Sequence, residues 1–472
     1  MTDAATITGG WRELLGARYL RTSVLLAGGV ALYATNEFLT TSLLPNTIAE
    51  IGGSRLYAWV TTLYLVGSVV AATMVNPMLL RVGARASYLL GLVVFGVASL
   101  VCAAAPTMHV LIAGRAMQGV AGGLLAGLGY AVINSALPRW LWTRGSALVS
   151  AMWGVATVVG PTTGGLFAQF GIWRWAFVAM AVLTGLMALL VPVALARVSP
   201  PSGVPRMRVP VWSLLIIGLA ALAVSVAQIP HNPAATYGLL AAGVGLVGVF
   251  VVVDWRMHAA ILPPSVFTSG PLKWIYLTMG VLMGAAMVTT YVPLFGQRLA
   301  HLTPIAAGFL GAALAVGWTV SEIVSASLEH PRTIGRVVLV APLVVAAGLG
   351  LGAVARHGDD SGWTAALWAV ALLVAGIGIG MAWPHLSARA MASVADPVEG
   401  GAASAAINTV QLTSAAIGAG LAGVVVNTAT GGDQMAAHLL FTVFTALSAA
   451  GVAVSYAATR AARQAQPVGA GG

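Results

Sequence analysis

The chain has 472 residues, 59% of them hydrophobic and only 7% charged, with a formal net charge of +10 and a mean hydropathy of +0.93. A soluble globular domain carries about 25% charged residues, and a water-facing protein of this length needs a polar shell, so a soluble enzyme is excluded. At about 20 apolar residues per crossing, the hydrophobic share of the chain suffices for about 14 membrane spans.

The N-terminal stretch 1–21 contains Asp3 and Glu13 and no continuous apolar core. No cleavable signal peptide is therefore expected, and the first span serves as its own insertion signal. Apolar runs of spanning length follow near 22–44, 57–79, 86–105, 108–134, 146–168 and 174–197. Two more lie at 211–230 and 236–253, and a second group at 272–296, 304–327, 335–355, 364–387, 401–427 and 437–458. Backbone polar groups in lipid need internal partners, so these runs are read as helices. The alternation of a β-barrel strand is missing from them.

The pattern predicts an all-α integral membrane fold with fourteen transmembrane helices: two six-helix bundles and two extra linker helices. The expected divisions are a cytoplasmic N-terminus at 1–21, an N-terminal bundle at 22–197, a linker with two spans at 198–270, a C-terminal bundle at 271–458 and a cytoplasmic tail at 459–472. Ser199-Pro-Pro-Ser-Gly-Val-Pro205 is too rich in proline to continue a helix and separates the first bundle from the linker spans. Two parallel halves are the layout of alternating-access carriers built from repeats.

Charge distribution tests the count. With a cytoplasmic N-terminus, that side holds Arg12, Arg18, Arg21, Arg81, Arg85, Arg139, Arg144, Arg197, Arg206, Arg208, Arg256, Lys273, Arg332, Arg336, Arg389, Arg460 and Arg463. The other side holds only Arg55, Arg174, Arg298 and Arg356, with Arg115 inside a span. One helix more or fewer in the middle would invert every later loop and spoil this asymmetry. Both termini are thus expected to be cytoplasmic, in a bacterial inner membrane. The basic residues stand singly or in pairs, a pattern of membrane orientation and not of nucleic-acid binding. A single cysteine, Cys102, excludes an internal disulfide or a Cys-rich metal centre.

The fourth span reads Leu111-Ile-Ala-Gly-Arg115-Ala-Met-Gln118-Gly119-Val-Ala-Gly122-Gly123, and the fifth reads Gly154-Val-Ala-Thr-Val-Val-Gly160-Pro161-Thr-Thr-Gly164-Gly165, running on to Gly171-Ile-Trp173-Arg174-Trp175. These resemble the fourth-span Arg motif and the fifth-span antiporter motif of the major facilitator superfamily. The Trp-Arg-Trp continuation and the two middle helices look like its fourteen-span drug:proton antiporter branch. The resemblance covers nearly the whole chain. It implies a proton-coupled exporter of hydrophobic or cationic small molecules, powered by the proton gradient without a cofactor or metal. The expected partners are the substrate, protons and membrane lipids, with the chain acting as a monomer.

The sequence departs from the family at three places. The loop after span two, Asn76-Pro77-Met-Leu-Leu80-Arg81-Val-Gly83-Ala-Arg85, has Leu80 where the superfamily carries an acid, so its usual charge relay is incomplete. The matching stretch of the second half, Ser325-Ala-Ser-Leu-Glu329-His330-Pro-Arg332, offers Glu329 for the acid position. Nine residues before Pro45, where the branch usually has Asp, stands Asn36, with Glu37 next.

Only Glu37 and Glu322 are acids set well inside spans. An ionisable group at mid-membrane costs at least about 2.5–3.5 kcal/mol, which marks it for a pathway or a pair. Glu37 is about 22 Å into span one from one side, and Arg115 about 10 Å into span four from the other. In about 30 Å of hydrocarbon these depths nearly coincide. Burial favours a neutral carboxyl and a nearby cation favours a charged one, so Glu37 and Arg115 are the candidate proton-coupling residues; a static pair fixing helix register is the alternative. Gln118, on the face of Arg115, and Asn36 would bind substrate or hold the guanidinium.

Glu322 is about 27 Å into span ten, where it would either pair with Arg332, Arg336 or Arg389 or take part in substrate or gate chemistry. His385, beside Trp383 and Pro384, reads as packed. Asn408 and Gln411 in span thirteen would line a polar cavity or bond across helices. Gly160, Pro161, Gly164 and Gly165 combine small residues that admit close helix approach with a helix-bending proline. They are the candidate gating motif, expected at a contact between the halves. Tryptophans near span ends, such as Trp59, Trp140, Trp142, Trp173, Trp175 and Trp363, fit interfacial anchors; Trp153 and Trp318 lie deeper.

An exporter of lipids or cell-envelope precursors is the second transport reading. A non-transporting sensor or scaffold would bring appended soluble domains. A membrane enzyme would need an acid/base or metal cluster, and His231, His258, His301 and His357 show no ligand spacing. A nucleotide-driven pump is disfavoured because no Gly-x-x-x-x-Gly-Lys-Ser/Thr stretch occurs.

Overall fold

The computed structural model describes residues 10–53, 56–195, 211–227, 232–257, 261–268, 270–302, 304–354, 361–394 and 396–464. The stretch Ser199–Pro205, the basic residues Arg55, Arg197, Arg206, Arg208 and Arg356, and the histidines His231, His258 and His357 lie outside them.

Every regular element among the described residues is helical. After the short α1 (Trp11–Leu14) come α2 (Leu20–Ile51), α3 (Tyr57–Thr73), α4 (Val75–Ala103), α5 (Met108–Ala131), a one-turn α6 (Ile133–Ala136), α7 (Trp142–Gln169) and α8 (Trp173–Ala194). The linker pair is α9 (Val211–Val226) and α10 (Pro233–Arg256). The second half has α11 (Leu272–Ala286), continued through a 3-10 turn into α12 (Val292–Arg298), then α13 (Pro304–Ser325), α14 (Pro331–Ala353), α15 (Ser361–Ala392), α16 (Pro397–Thr428) and α17 (Gly432–Gln464). With α1 and α6 set aside and α11 and α12 counted as one crossing, these are the fourteen spans anticipated from hydropathy. An even number returns the chain to the side it started from, here called the termini-bearing face.

The segment expected as a loop after span two is helical. It belongs to α4 and is broken at Gly83, where φ is 77° and ψ 169°. A side chain is strained at that φ, so glycine lets the chain turn between the two helical pieces. Asn76 and Pro77 are buried on the first piece.

The halves share a packing device. A Cβ on Gly119 or Gly123 of α5 would lie 2.1 Å from the Tyr64 carbonyl oxygen and 2.2 Å from that of Ser68, both on α3. In the second half a Cβ on Gly376 or Gly380 of α15 would lie 2.0 Å from the Leu314 oxygen and 2.1 Å from that of Trp318, both on α13. Each pair of glycines is four residues apart on one helix face, against carbonyls four residues apart on the next. Without a hydrophobic drive between helices in lipid, such backbone-to-backbone fit supplies the association.

The linker pair touches both halves. Gly218 of α9 meets Val70 of α3, while Gly420 of α16 receives Val224 of α9 and Leu240 of α10. Asp254, at the end of α10, accepts the backbone N–H groups of Ile261 and Leu262 at 2.8 Å each. Glu399, at the start of α16, accepts the backbone N–H of Ser265 at 2.7 Å and its hydroxyl. These carboxylates satisfy donors of the connecting turn that the apolar surroundings could not.

Named contacts between the halves gather toward the termini-bearing face. Gly154 of α7 presses on Thr319 and Ala315 of α13, and Gly127 of α5 faces Asn408 of α16. Trp383 donates to the Tyr130 hydroxyl at 3.3 Å. Nearer the face, Arg144 pairs with Glu329 at 3.7 Å. The short α1 spans the same seam: Trp11 donates to Ser327 of the second half, and Glu13 accepts from Trp140 of the first.

Candidate functional site

Arg115 is fully buried in the first half. Its guanidinium carbon stands 3.9 Å from the centre of the Tyr64 ring, a cation–π contact, and its Nη1 donates to Gln118 Oε1 at 2.9 Å. Gln118 in turn donates through Nε2 to Ser99 of α4 at 2.8 Å and to Asn36 Oδ1 of α2 at 3.5 Å. The Tyr64 hydroxyl donates to the Tyr33 carbonyl oxygen at 2.7 Å. Tyr33 stacks on Tyr64 with ring centres 5.3 Å apart and meets Trp153 edge-on at 5.5 Å. One cation is thereby held by an aromatic face and an amide, on helices α2, α3, α4, α5 and α7.

Glu37, the residue after Asn36, is near enough to Arg115 to interact electrostatically. The two form no ion pair within 4 Å among the described residues. The guanidinium takes Gln118 and Tyr64 as its direct partners. Glu37 Oε2, Arg115 Nε, Asn36 Nδ2, Tyr33 Oη and Trp153 Nε1 are all buried without a hydrogen-bond partner. Unmet buried polar atoms are rare and costly, and five in one neighbourhood mark a place where a ligand or water completes the bonding.

Glu322 sits elsewhere. It is fully buried and accepts from Trp318 Nε1 at 2.9 Å through Oε2. It forms no ion pair with Arg332, Arg336 or Arg389 among the described residues; it faces Ser150 and Tyr130 of the other half instead. The expected pairing at the membrane end is replaced by a position inside the seam. His385 is packed, 3.0 Å from the Ser325 hydroxyl and from its carbonyl oxygen. Asn408 and Gln411 are fully buried, and the amide atoms of both lack partners. Asn408 lies opposite Gly127, about 18 Å along α5 from Arg115, so the span-thirteen amides and the Arg115 cluster form separate polar regions.

The fifth-span glycines pack inside the first half. A Cβ on Gly160 would meet Phe38 Cβ at 2.6 Å, and one on Gly164 the Leu39 oxygen at 2.6 Å, both on α2; Gly165 has nothing within 4 Å. The expected contact between halves is made on α7 by Gly154, two turns earlier. Gly160 and Gly164 act on α2, the helix that carries Asn36 and Glu37.

Residues 26–419 match the family model of the Major Facilitator Superfamily. The chain belongs to this superfamily. Membership marks a multi-pass membrane transporter and not an enzyme. A protein of Mycobacterium tuberculosis named a probable multidrug-efflux transporter is 71% identical over 469 residues, covering 98% of this chain and 99% of that one. The puromycin resistance protein of Streptomyces alboniger is 31% identical over 360 residues, 74% of this chain and 70% of its own length. The crystal structure of the human organic anion transporter MFSD10 matches with a TM-score of 0.68 at 15% identity, covering 92% of this chain and 99% of that one. The last shows the shared fold alone.

Tyr64, Tyr33 and Ser99 are site residues that sequence reasoning passed over. Tyr64 was nevertheless within reach of the depth argument. It is seven residues from the start of α3, and Arg115 is seven from the start of α5, on helices that run in the same direction.

Proposed function

We propose that this chain is a proton-coupled antiporter that exports hydrophobic or cationic small molecules by alternating access. It works as a monomer in a bacterial inner membrane, with both termini in the cytoplasm. The observation that carries the reading is the buried Arg115 held by Tyr64 and Gln118, beside the partnerless Oε2 of Glu37. A proton on Glu37 removes a negative charge from the neighbourhood of a fixed cation, and a cationic substrate entering there competes for the same carboxylate. Each elementary charge crossing 100 mV is worth about 2.3 kcal/mol, enough for one proton to bias two states of similar energy. The positive-inside asymmetry makes the termini-bearing face cytoplasmic. The contacts gathered at that face then correspond to an outward-facing state.

The name of the 71% identical relative supports drugs as substrates over lipids. The test is transport by purified protein in proteoliposomes under an imposed pH gradient, with dyes, antibiotics and lipids offered in parallel. Gradient-driven movement of organic cations that is abolished in Glu37→Gln supports the reading. Full gradient-driven export by Glu37→Gln removes Glu37 from the mechanism. Transport of lipids alone replaces the substrate class.

A further inference from the structure

Glu322 plays no part in the Arg115 cluster, yet it is fully buried within a span. Its surroundings come from both halves. Trp318 lies one turn away on its own helix α13 and holds Oε2. Across the seam are Ser150 of α7 and Tyr130 of α5. Trp383 of α15 closes the group, with its ring centre 5.4 Å from that of Trp318 and its Nε1 on the Tyr130 hydroxyl. Oε1 of Glu322 is buried and has no partner.

Among the described residues, no cation pairs with Glu322 at this place. Arg144 of α7 is engaged by Glu329, and Arg389 of α15 makes no ion pair among the described residues. His385 of α15 is held by Ser325. The titratable group within electrostatic reach of Glu322 among the described residues is the Tyr130 phenol, itself neutral near pH 7. An ionised carboxylate in a dry seam without a counter-ion is strongly disfavoured. The closed seam therefore fits the protonated carboxyl. Parting the halves removes Ser150 and Tyr130, admits water and fits the carboxylate.

We propose that Glu322 is a proton-binding site that locks the seam between the halves and responds to pH on the termini-bearing side. On opening, the carboxyl O–H bond breaks and its proton passes to water; closing takes one proton back. Low pH on that side holds the seam shut, and high pH releases it. If the proposed function places that side in the cytoplasm, the lock stops a proton-importing exchanger when the cell interior turns acid. That consequence rests on the antiporter reading; the lock itself does not.

The test needs neither substrate nor gradient. Cysteines for spin labels at exposed Ser135 and Thr333 report the separation of the halves at the termini-bearing face, in nanodiscs between pH 5.5 and 9. One proton released on opening raises the open-to-closed ratio by up to about tenfold per pH unit. Glu322→Gln, a permanently neutral mimic, is expected to stay closed across the range, and Glu322→Asp to restore a pH response. A pH-dependent opening in Glu322→Gln equal to that of the unaltered residue overturns the lock. Opening that is lost in Glu37→Gln and retained in Glu322→Gln overturns it also, while leaving the antiporter reading intact. Failure of gradient-driven transport, with the Glu322-dependent opening preserved, would overturn the antiporter reading alone.

Discussion

Gly154 of α7 lies against Thr319 of α13 so closely that a Cβ on the glycine would come within 1.7 Å of the threonine Oγ1 and 3.2 Å of the Ala315 oxygen. The two belong to opposite halves. A side chain at 154 can be accommodated only if the halves stand apart, whereas the α7 helix itself has no need of glycine there.

Gly154→Val should therefore disfavour the closed seam by about 1–3 kcal/mol, about 5- to 150-fold in population. Its efflux rate is expected to fall accordingly, with normal amounts of folded protein in the membrane. Gly165→Ala, which meets nothing within 4 Å, is the control and should transport normally. Equal activity in the two variants would show that the close approach does not control the cycle.

Gly160→Leu should also block efflux, for a different reason. Its side chain would push Phe38 and Leu39 of α2 away from α7 and displace Asn36 and Glu37 on the same helix. A spin-label pair across the seam should report unchanged closure in this variant, unlike Gly154→Val. Normal efflux would detach the glycine motif from the acid.

Arg115→Lys should lose most of its transport while retaining the charge. An ammonium cannot reproduce the planar guanidinium that lies over Tyr64 and reaches Gln118. Tyr64→Leu removes a cation–π contact worth about 0.5–2 kcal/mol and the hydroxyl bond to Tyr33. Its thermal midpoint and its proton-driven rate should both drop. An unaltered rate in both variants would mean that the cluster is scaffold only.

Glu329→Ala should change stability by no more than about 1 kcal/mol, because the glutamate side chain of the Arg144 pair is 55% exposed and such pairs are screened by water and salt. Melting of the unaltered protein and the variant in low and high salt measures it. A larger loss at low salt would assign this pair a main share in holding the halves together.

Much of the fold was legible because hydrophobic length and loop charge are written residue by residue. Span number follows from them directly, and the resemblance of spans four and five gave the family. Arg115 and Gln118, three residues apart on one helix, could be expected to meet, and they do. Tyr64 shares the depth of Arg115, but the helix rotations that turn Tyr64 and Ser99 toward Arg115 and Gln118 are set by packing that no linear pattern states. Glu322 shows the limit plainly: counting residues gave its depth, but not that it turns toward Ser150 and Tyr130 and away from the arginines at the membrane end. Nor does the sequence state which glycine of α7 meets the other half, since Gly154 and Gly160 look alike there and press on different helices.

The linker pair carries a mechanical implication. Because α9 leans on α3 of one half and on α16 of the other, any parting of the halves must shear at least one of those surfaces. Two helices with lipid at their backs thus ride on every turnover, and the thickness and lateral pressure of the surrounding bilayer become part of the work of transport.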